Sequence, residues 1–172
     1  MDAMTNLLTR RSVRSYKPDM VDKETLGKIL TAGTYAATGM NKQAPIIIAV
    51  TNREMRDRLS QLNAAVMGSD KDPFYGAPVV LVVLADRAVR THVYDGSLVM
   101  GNLMNAAHAE GVSSCWIHRA KEVFDSPEGR EILKNLGIEG DYEGIGNLIL
   151  GYADGPEPEA RPRKENYVYY ID

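Results

Sequence analysis

The sequence predicts a mixed helix-and-strand domain whose sheet is covered by helices on both faces. Three observations predict it. Apolar runs of strand length, rich in β-branched residues and bounded by Gly, Pro or Asn, recur along the chain. The runs are continuous rather than alternating, as in strands buried on both sides. The segments between them repeat apolar residues at steps of three and four, the period of an amphipathic helix.

Taken in order, the chain opens with MDAMTNLLTRRSVRS, an Arg- and Ser-containing stretch that faintly resembles a transit peptide. Asp2 opposes that reading, and the segment continues without a break, so the cytoplasm is the expected compartment. Asp22 then caps a helix with apolar positions Leu26, Ile29, Leu30 and Ala37, and Val21 and Leu26 are spaced as a hydrophobic staple. The first strand is 45–51 (PIIIAVT). Met55, Leu59, Leu62 and Val66 mark the next helix, and 78–85 (PVVLVVLA) the second strand. The segment 94–110 is apolar around its whole circumference rather than along one stripe. Such a helix is buried on nearly all sides, and in a small domain a second copy of the chain is one way to cover it. A strand of mixed pattern is expected at 112–118 (VSSCWIH). Ser126-Pro127 starts a further helix that Gly137 ends, and 147–152 (NLILGY) is the last of the three apolar runs.

Beyond Tyr152 the pattern changes. ADGPEPEARPRKEN has three prolines and no apolar periodicity, and is followed by the strand-like YVYYI at 167–171. Pro-rich segments run extended and stay off the core, which leaves that tail without local neighbours. An arm of about 153–172 reaching a partner subunit and adding an edge strand there is the expectation.

Length and composition limit the function classes. At 172 residues the chain is expected to form one domain, 1–172. Its 20 basic and 23 acidic residues give a net charge of −3, against the basic surface of a dedicated nucleic-acid binder. The longest uncharged apolar stretch, 73–85, has 13 residues and contains Pro78, whereas a membrane-spanning helix needs about 20. Cys115 is the single cysteine, which excludes an intrachain disulfide and a cysteine zinc cluster. Beside Trp116 it reads as a small buried hydrophobe. His92, His108 and His118 lack metal-ligand spacing, so no metal is expected, and His108 reads as a packed, hydrogen-bonded side chain. Neither GxGxxG nor GxxxxGK[ST] occurs.

Three elements carry candidate chemistry. Arg10, Arg11, Ser12 and Arg14 place three guanidiniums and a hydroxyl within five residues, a cradle for phosphate; alone, the run reads more readily as a solvated basic turn. Arg161, Arg163 and Lys164 form a second basic run, which is either a solubilising linker or a second half of the same cradle. Thr38, Gly39, Met40, Asn41, Lys42 and Gln43 combine a glycine that permits close backbone approach with two amides suited to a heterocycle of mixed donors and acceptors. An ordinary helix-to-strand turn has the same composition.

Together, and in this order, these elements resemble the nitroreductase family of FMN-dependent oxidoreductases. RRSVRSY at 10–16 resembles the family's phosphate-binding signature, and TGMNKQ at 38–43 its (P)SGxNxQPW loop. FYGAPVVLVVLA resembles the central strand with its lead-in, and DGSLVMGNLMNAAHAEGVSSCWI at 95–117 the long dimer helix with the GLGSCWI strand. GY…RPRKENYVYYI resembles the C-terminal arm. The resemblance implies an α+β fold, a nitroreductase-like sheet flanked by helices, in an intertwined homodimer with exchanged C-terminal arms. It implies FMN at the subunit interface, with Arg10, Arg11, Ser12, Arg14, Arg161 and Arg163 at its phosphate and ribityl end. Thr38, Gly39, Met40, Asn41 and Gln43 of the other subunit would line the flavin, and the backbone at Trp116, Ile117 and His118 would face the ring near N5.

The implied activity is ping-pong transfer of hydride from NADH or NADPH through flavin N5 to a small organic acceptor such as a nitroaromatic, a quinone or free flavin. No side chain is assigned as a general acid or base, because the cofactor carries the chemistry. Two departures stand out: Gln43-Ala44-Pro45 replaces Gln-Pro-Trp, which removes a bulky neighbour, and the chain is shorter than many relatives. Reductive dehalogenation or flavin cleavage on the same scaffold, and a flavin carrier or sensor without turnover, are the alternatives.

Overall fold

Seven successive apolar residues, from Val79 to Ala85, are fully buried in the second strand, β2 (Val79–Asp86). Val80, Val82 and Leu84 face one core with Val50, Leu59, Phe74 and Ile149. Val79, Leu81, Val83 and Ala85 face the other with Ile29, Val99, Met100 and Leu103. Each such side chain removed from water contributes roughly 1.5–3 kcal/mol, so a run with no polar alternation belongs in the middle of the sheet. The structure, a computed structural model, describes residues 1–171.

Among those residues the sheet has the order β1-β2-β4-β3, with β1 at Pro45–Val50, β3 at Ser113–Ile117 and β4 at Tyr142–Gly151. All three pairings are antiparallel: Pro45 to Val50 lie opposite Ala85 to Val80, Val79 lies opposite Leu150, and Cys115 lies opposite Ile149. The expected strands are present, but β4 starts five residues before the apolar run at 147. Its first half carries Gly144 and Gly146, which obscure a strand pattern. Both are required by contact: a Cβ at Gly144 would strike the Ala120 backbone, and one at Gly146 the Trp116 indole. Between them Ile145 is the extra residue of a bulge opposite Val83 and Leu84.

The helices follow their local signals. α2 (Lys23–Thr34) is capped by Asp22, whose Oδ1 accepts the Thr25 N–H at 2.9 Å, and Val21 and Leu26 are both buried. It ends at Thr34, so Ala37 lies beyond the helix and is exposed, contrary to the apolar stripe read from sequence. α3 (Arg53–Met67) is capped by Asn52 and stopped by left-handed Gly68. α6 (Pro127–Asn135) starts at Ser126, whose Oγ accepts the Gly129 N–H. Two short helices have no periodic signal: α1 (Ala3–Thr9), capped by Asp2, and α5 (Ala120–Asp125).

The long helix α4 (His92–Ala109) buries Gly96, Val99, Met100, Leu103 and Ala107 against the sheet and leaves Tyr94 and Leu98 exposed on its other side. Residues 155–171 contain no regular element and are exposed throughout. No helix among the described residues is long and apolar enough to cross a membrane.

Candidate functional site

The two ends of the chain meet beside β3 and β4. Ser12 forms a parallel bridge with Ser114, and the Val13 N–H donates to the Ser114 carbonyl at 3.0 Å. Four residues on, Tyr16 bridges Ala153, the Lys17 N–H donates to Tyr152 O at 2.9 Å, and the Asp154 N–H donates to Ser15 O at 2.9 Å. Val13 and Tyr16 are buried and act as anchors, with the Tyr16 hydroxyl donating to Val13 O at 2.7 Å. Burial, reinforced by neighbouring Cys115, pushes the Tyr16 phenol well above its ordinary value, so it stays a neutral donor.

The consequence is a cleft of about 560 Å³ lined by Arg10, Arg11, Ser12, Arg161 and Arg163, with Leu7, Leu8, Glu159 and Ala160. Arg11 Nη1 donates to the carbonyls of Leu8 and Arg10, and Arg163 donates through Nε and Nη2 to Arg161 O. Both guanidiniums are thus oriented by backbone rather than neutralised. Among the described residues none of these arginines is in an ion pair, whereas Arg56 and Arg87 are bound to two and three carboxylates respectively. Arg10 Nη1 is buried with no hydrogen-bond partner. Buried donors are almost always satisfied, and a charged one left bare is costly. An anion with several acceptor oxygens fits this donor set. Arg14 is exposed and does not line the cleft.

Residues 38–43 form a strained loop elsewhere on the chain. Met40, Asn41 and Gln43 all have φ near +50°, a region that non-glycine residues rarely adopt. The Gln43 N–H donates to Thr38 Oγ1 at 3.2 Å and Gln43 Nε2 to Asn41 Oδ1 at 3.2 Å. The Gly39 N–H donates to the buried carboxylate of Asp95 at 3.0 Å. Thr38 and Gln43 border a second cleft of about 430 Å³, whose walls include Leu30, Gly33, Ile46, Ile47 and Val99.

The loop touches the first turn of α4. The arginine cleft is tied to its last turns: Asn6 Nδ2 donates to Asn105 O at 3.0 Å, and Thr9 Oγ1 lies 2.8 Å from His108 Nε2. From Asp95 to Asn105 the helix rises about 15 Å. Within one chain, therefore, the arginines and the 38–43 loop do not share a cleft.

Trp116, Ile117 and His118 lie at the other end of β3 from Ser114. Trp116 is half-buried, Ile117 is buried and His118 is exposed. The His118 carbonyl accepts from Asn63 Nδ2 at 2.8 Å and from Asn147 Nδ2 at 3.3 Å, and Arg119 Nε donates to Asn63 Oδ1 at 3.0 Å. These bonds hold Arg119 at φ 73°, in the left-handed region.

Asn63, Asn147 and Asp95 are buried polar residues that were not among the expected site residues. Their only sequence signal is a polar side chain beside an apolar stripe, as Asn63 stands next to Leu59 and Leu62. Cys115 is buried, and no cluster of metal-ligating residues occurs among the described residues.

Comparison with known proteins gives a consistent picture. The model of the Nitroreductase family matches residues 7–73 and 64–152. A protein of Methanothermobacter thermautotrophicus, provisionally named an NADH dehydrogenase/NAD(P)H nitroreductase, is 30% identical over 67% of the chain; the chain spans 60% of that relative's length. One of the same name in Archaeoglobus fulgidus is 29% identical over 99% of the chain and 91% of the relative. A nitroreductase from Bacteroides fragilis, solved with bound FMN, superposes over the full length of both chains with a TM-score of 0.90 at 26% identity.

Proposed function

The chain belongs to the nitroreductase family, and from that premise we propose that it is an FMN-dependent oxidoreductase. It takes reducing equivalents from NADH or NADPH and delivers them to a small organic acceptor such as a nitroaromatic, a quinone or free flavin. The observation that carries the reading is the cleft in which Arg10, Arg11 and Ser12 meet Arg161 and Arg163 without a compensating ion pair among the described residues. The FMN bound to the Bacteroides fragilis relative and the nicotinamide in the archaeal relatives' names support it.

FMN, when bound, supplies a ring that accepts a hydride from the nicotinamide and yields it to the second substrate at one open face. The chain's part is to hold and orient. Arg10, Arg11, Ser12, Arg161 and Arg163 grip the phosphate, each charge-assisted bond being worth roughly 1.5–3 kcal/mol. Arg14, exposed and off the cleft, adds only screened attraction. The backbone at Trp116, Ile117 and His118 sets the face presented to the ring, and Asn63 and Asn147 keep that backbone from shifting.

Residues Thr38, Gly39, Met40, Asn41 and Gln43 act from a second copy. They and the arginines sit at opposite ends of α4, and a two-fold dimer that pairs α4 with an antiparallel α4 brings each loop to the other chain's cleft. The exposed Tyr94 and Leu98 provide the apolar face for that pairing. The arm has a complementary destination. β1 pairs only with β2 among the described residues, and its outer edge is flanked by the 430 Å³ cleft and by an apolar cleft of about 230 Å³ around Ile48, Val50, Leu59 and Phe124. Residues 167–171 are each at least 62% exposed. Added along that edge in a partner, the tail would bury alternate side chains in both clefts.

The test is anaerobic. Purified protein should be yellow, and addition of NADH or NADPH without oxygen should bleach it; readmission of an acceptor should restore the colour. Colourless protein that also rejects added FMN would overturn the reading.

A further inference from the structure

Asp95 is a carboxylate on the first turn of α4 and only 3% exposed. Among the described residues it has no cationic partner. Its Oδ1 accepts the Gly39 N–H at 3.0 Å and its Oδ2 accepts the Thr91 hydroxyl at 2.9 Å. Thr91 sits at the N-cap position of α4, where a threonine oxygen ordinarily accepts a bond from the first helical turn. Here its hydroxyl makes no such cap bond and is turned to Asp95 instead.

Two costs therefore meet at one point, a buried charge and a helix start without its side-chain cap. The loop they touch carries a third, three non-glycine residues in the left-handed region. The fit is also tight. A Cβ at Gly39 would overlap Thr91 Oγ1, Cγ2 and Cβ, so the loop backbone rests directly on that side chain.

We infer that Asp95 and Thr91 are positioning residues that latch Gly39 and hold the strained 38–43 loop in a single shape, ready to be laid against the flavin. The flavin part of this inference rests on the function proposed above; the latch itself does not. Asp95 acts on the loop through the Gly39 backbone N–H. Its effect is to keep Met40, Asn41 and Gln43 in conformations they would otherwise leave. Loss of the latch frees the loop to relax, and a ligand must then pay the ordering cost at binding.

The experiment uses D95A, D95N, T91V and T91S in the full chain, with two readouts. One is the hydrogen-exchange rate of the Gly39 amide in protein freed of flavin. The other is FMN affinity by fluorescence titration. D95A should speed Gly39 exchange by about a hundredfold and weaken FMN about tenfold. D95N keeps an acceptor for Gly39 and a partner for Thr91, and should stay within about threefold of the parent in both. T91V should move both readouts in the direction of D95A by a smaller factor, and T91S should restore them; this pair decides the matter if D95A does not fold. Gly39 exchange unchanged in folded D95A, or in T91V, would overturn the latch. Faster exchange with FMN affinity unchanged would overturn its role toward flavin. If the parent protein binds no FMN, the functional reading fails by itself, and Gly39 exchange alone still upholds or overturns the latch.

Discussion

Ser12 lies beside Ser114 in a parallel bridge, and the next residue, Val13, donates its N–H to the Ser114 carbonyl at 3.0 Å. This short pairing holds the first basic run along the outer edge of β3. The Tyr16–Ala153 bridge then brings the start of the C-terminal arm alongside. Cations from residues 10–12 and 161–163 share a cleft because backbone hydrogen bonds, which are indifferent to charge, offset their mutual repulsion.

The arginines should not contribute equally. Arg10 is partly buried with a bare Nη1, whereas Arg14 is exposed and off the cleft. R10A should weaken FMN binding by about 1.5–3 kcal/mol, the range of a charge-assisted bond. R14A should cost less than about 1 kcal/mol and fade with added salt. FMN titrations at low and high ionic strength test both, and equal losses would remove Arg10 from the phosphate site.

Truncation tests the arm. A chain ending at Glu165 retains Arg161 and Arg163 but loses the tail at 167–171. It should sediment as a weaker dimer than the full chain and unfold at a lower temperature. A full-length chain that sediments as a monomer at micromolar concentration would remove both the arm exchange and the shared site.

Asn63 tests the backbone clamp at the end of β3. N63A removes the donor to His118 O and the acceptor for Arg119 Nε. It should destabilise the chain by about 1–3 kcal/mol, the loss of two part-buried hydrogen bonds. N63D restores the acceptor but sets an oxygen against the His118 carbonyl, so it should be no more stable than N63A. Thermal melts of the two variants measure this, and the visible spectrum of added FMN should shift in both if the 116–118 backbone faces the ring.

Acid should act chiefly through Glu143 and Asp72, whose side chains are the least exposed of the carboxylates held below their ordinary values. Burial opposes ionisation of Glu143, but hydrogen bonds from Lys121, Arg87 and His92 outweigh it and hold the carboxyl below its ordinary value of 4.5. Burial likewise opposes ionisation of Asp72, and Arg56, Ser60 and the Gly76 and Phe74 N–H groups outweigh it below 3.8. A folded value below the unfolded one stabilises the chain fully above the unfolded value, and the gain is lost as pH falls through the folded one. The melting temperature should be level from about pH 5 to about pH 8 and drop below about pH 4.5. E143Q and D72N should each melt lower at neutral pH and show a shallower acid decline than the parent.

What was legible in the sequence is what short-range physics governs. β2 and β1 are apparent because a continuous apolar run has few other places to go, and the α2 and α6 starts because Asp22 and Ser126 act on N–H groups within three residues. The early start of β4 was hidden because Gly144 and Gly146 answer to Ala120 and Trp116, not to their strand neighbours. α1 and α5, at seven and six residues, are too short to display a period.

The candidate site divides in the same way. Arginine clusters and the amide-bearing loop can be found by composition, and their order along the chain resembles a family. That Arg10 and Arg161 face one cleft, that the 38–43 loop stands about 15 Å away along α4, that Asp95 accepts the Gly39 N–H and that Asn63 donates to the His118 carbonyl are all matters of tertiary structure. They depend on hydrogen bonds between residues more than fifty positions apart. Local propensity carries no information about such closures, because the free energy that makes them favourable is the burial of β2 and its neighbours on both faces of the sheet, a property of the whole chain.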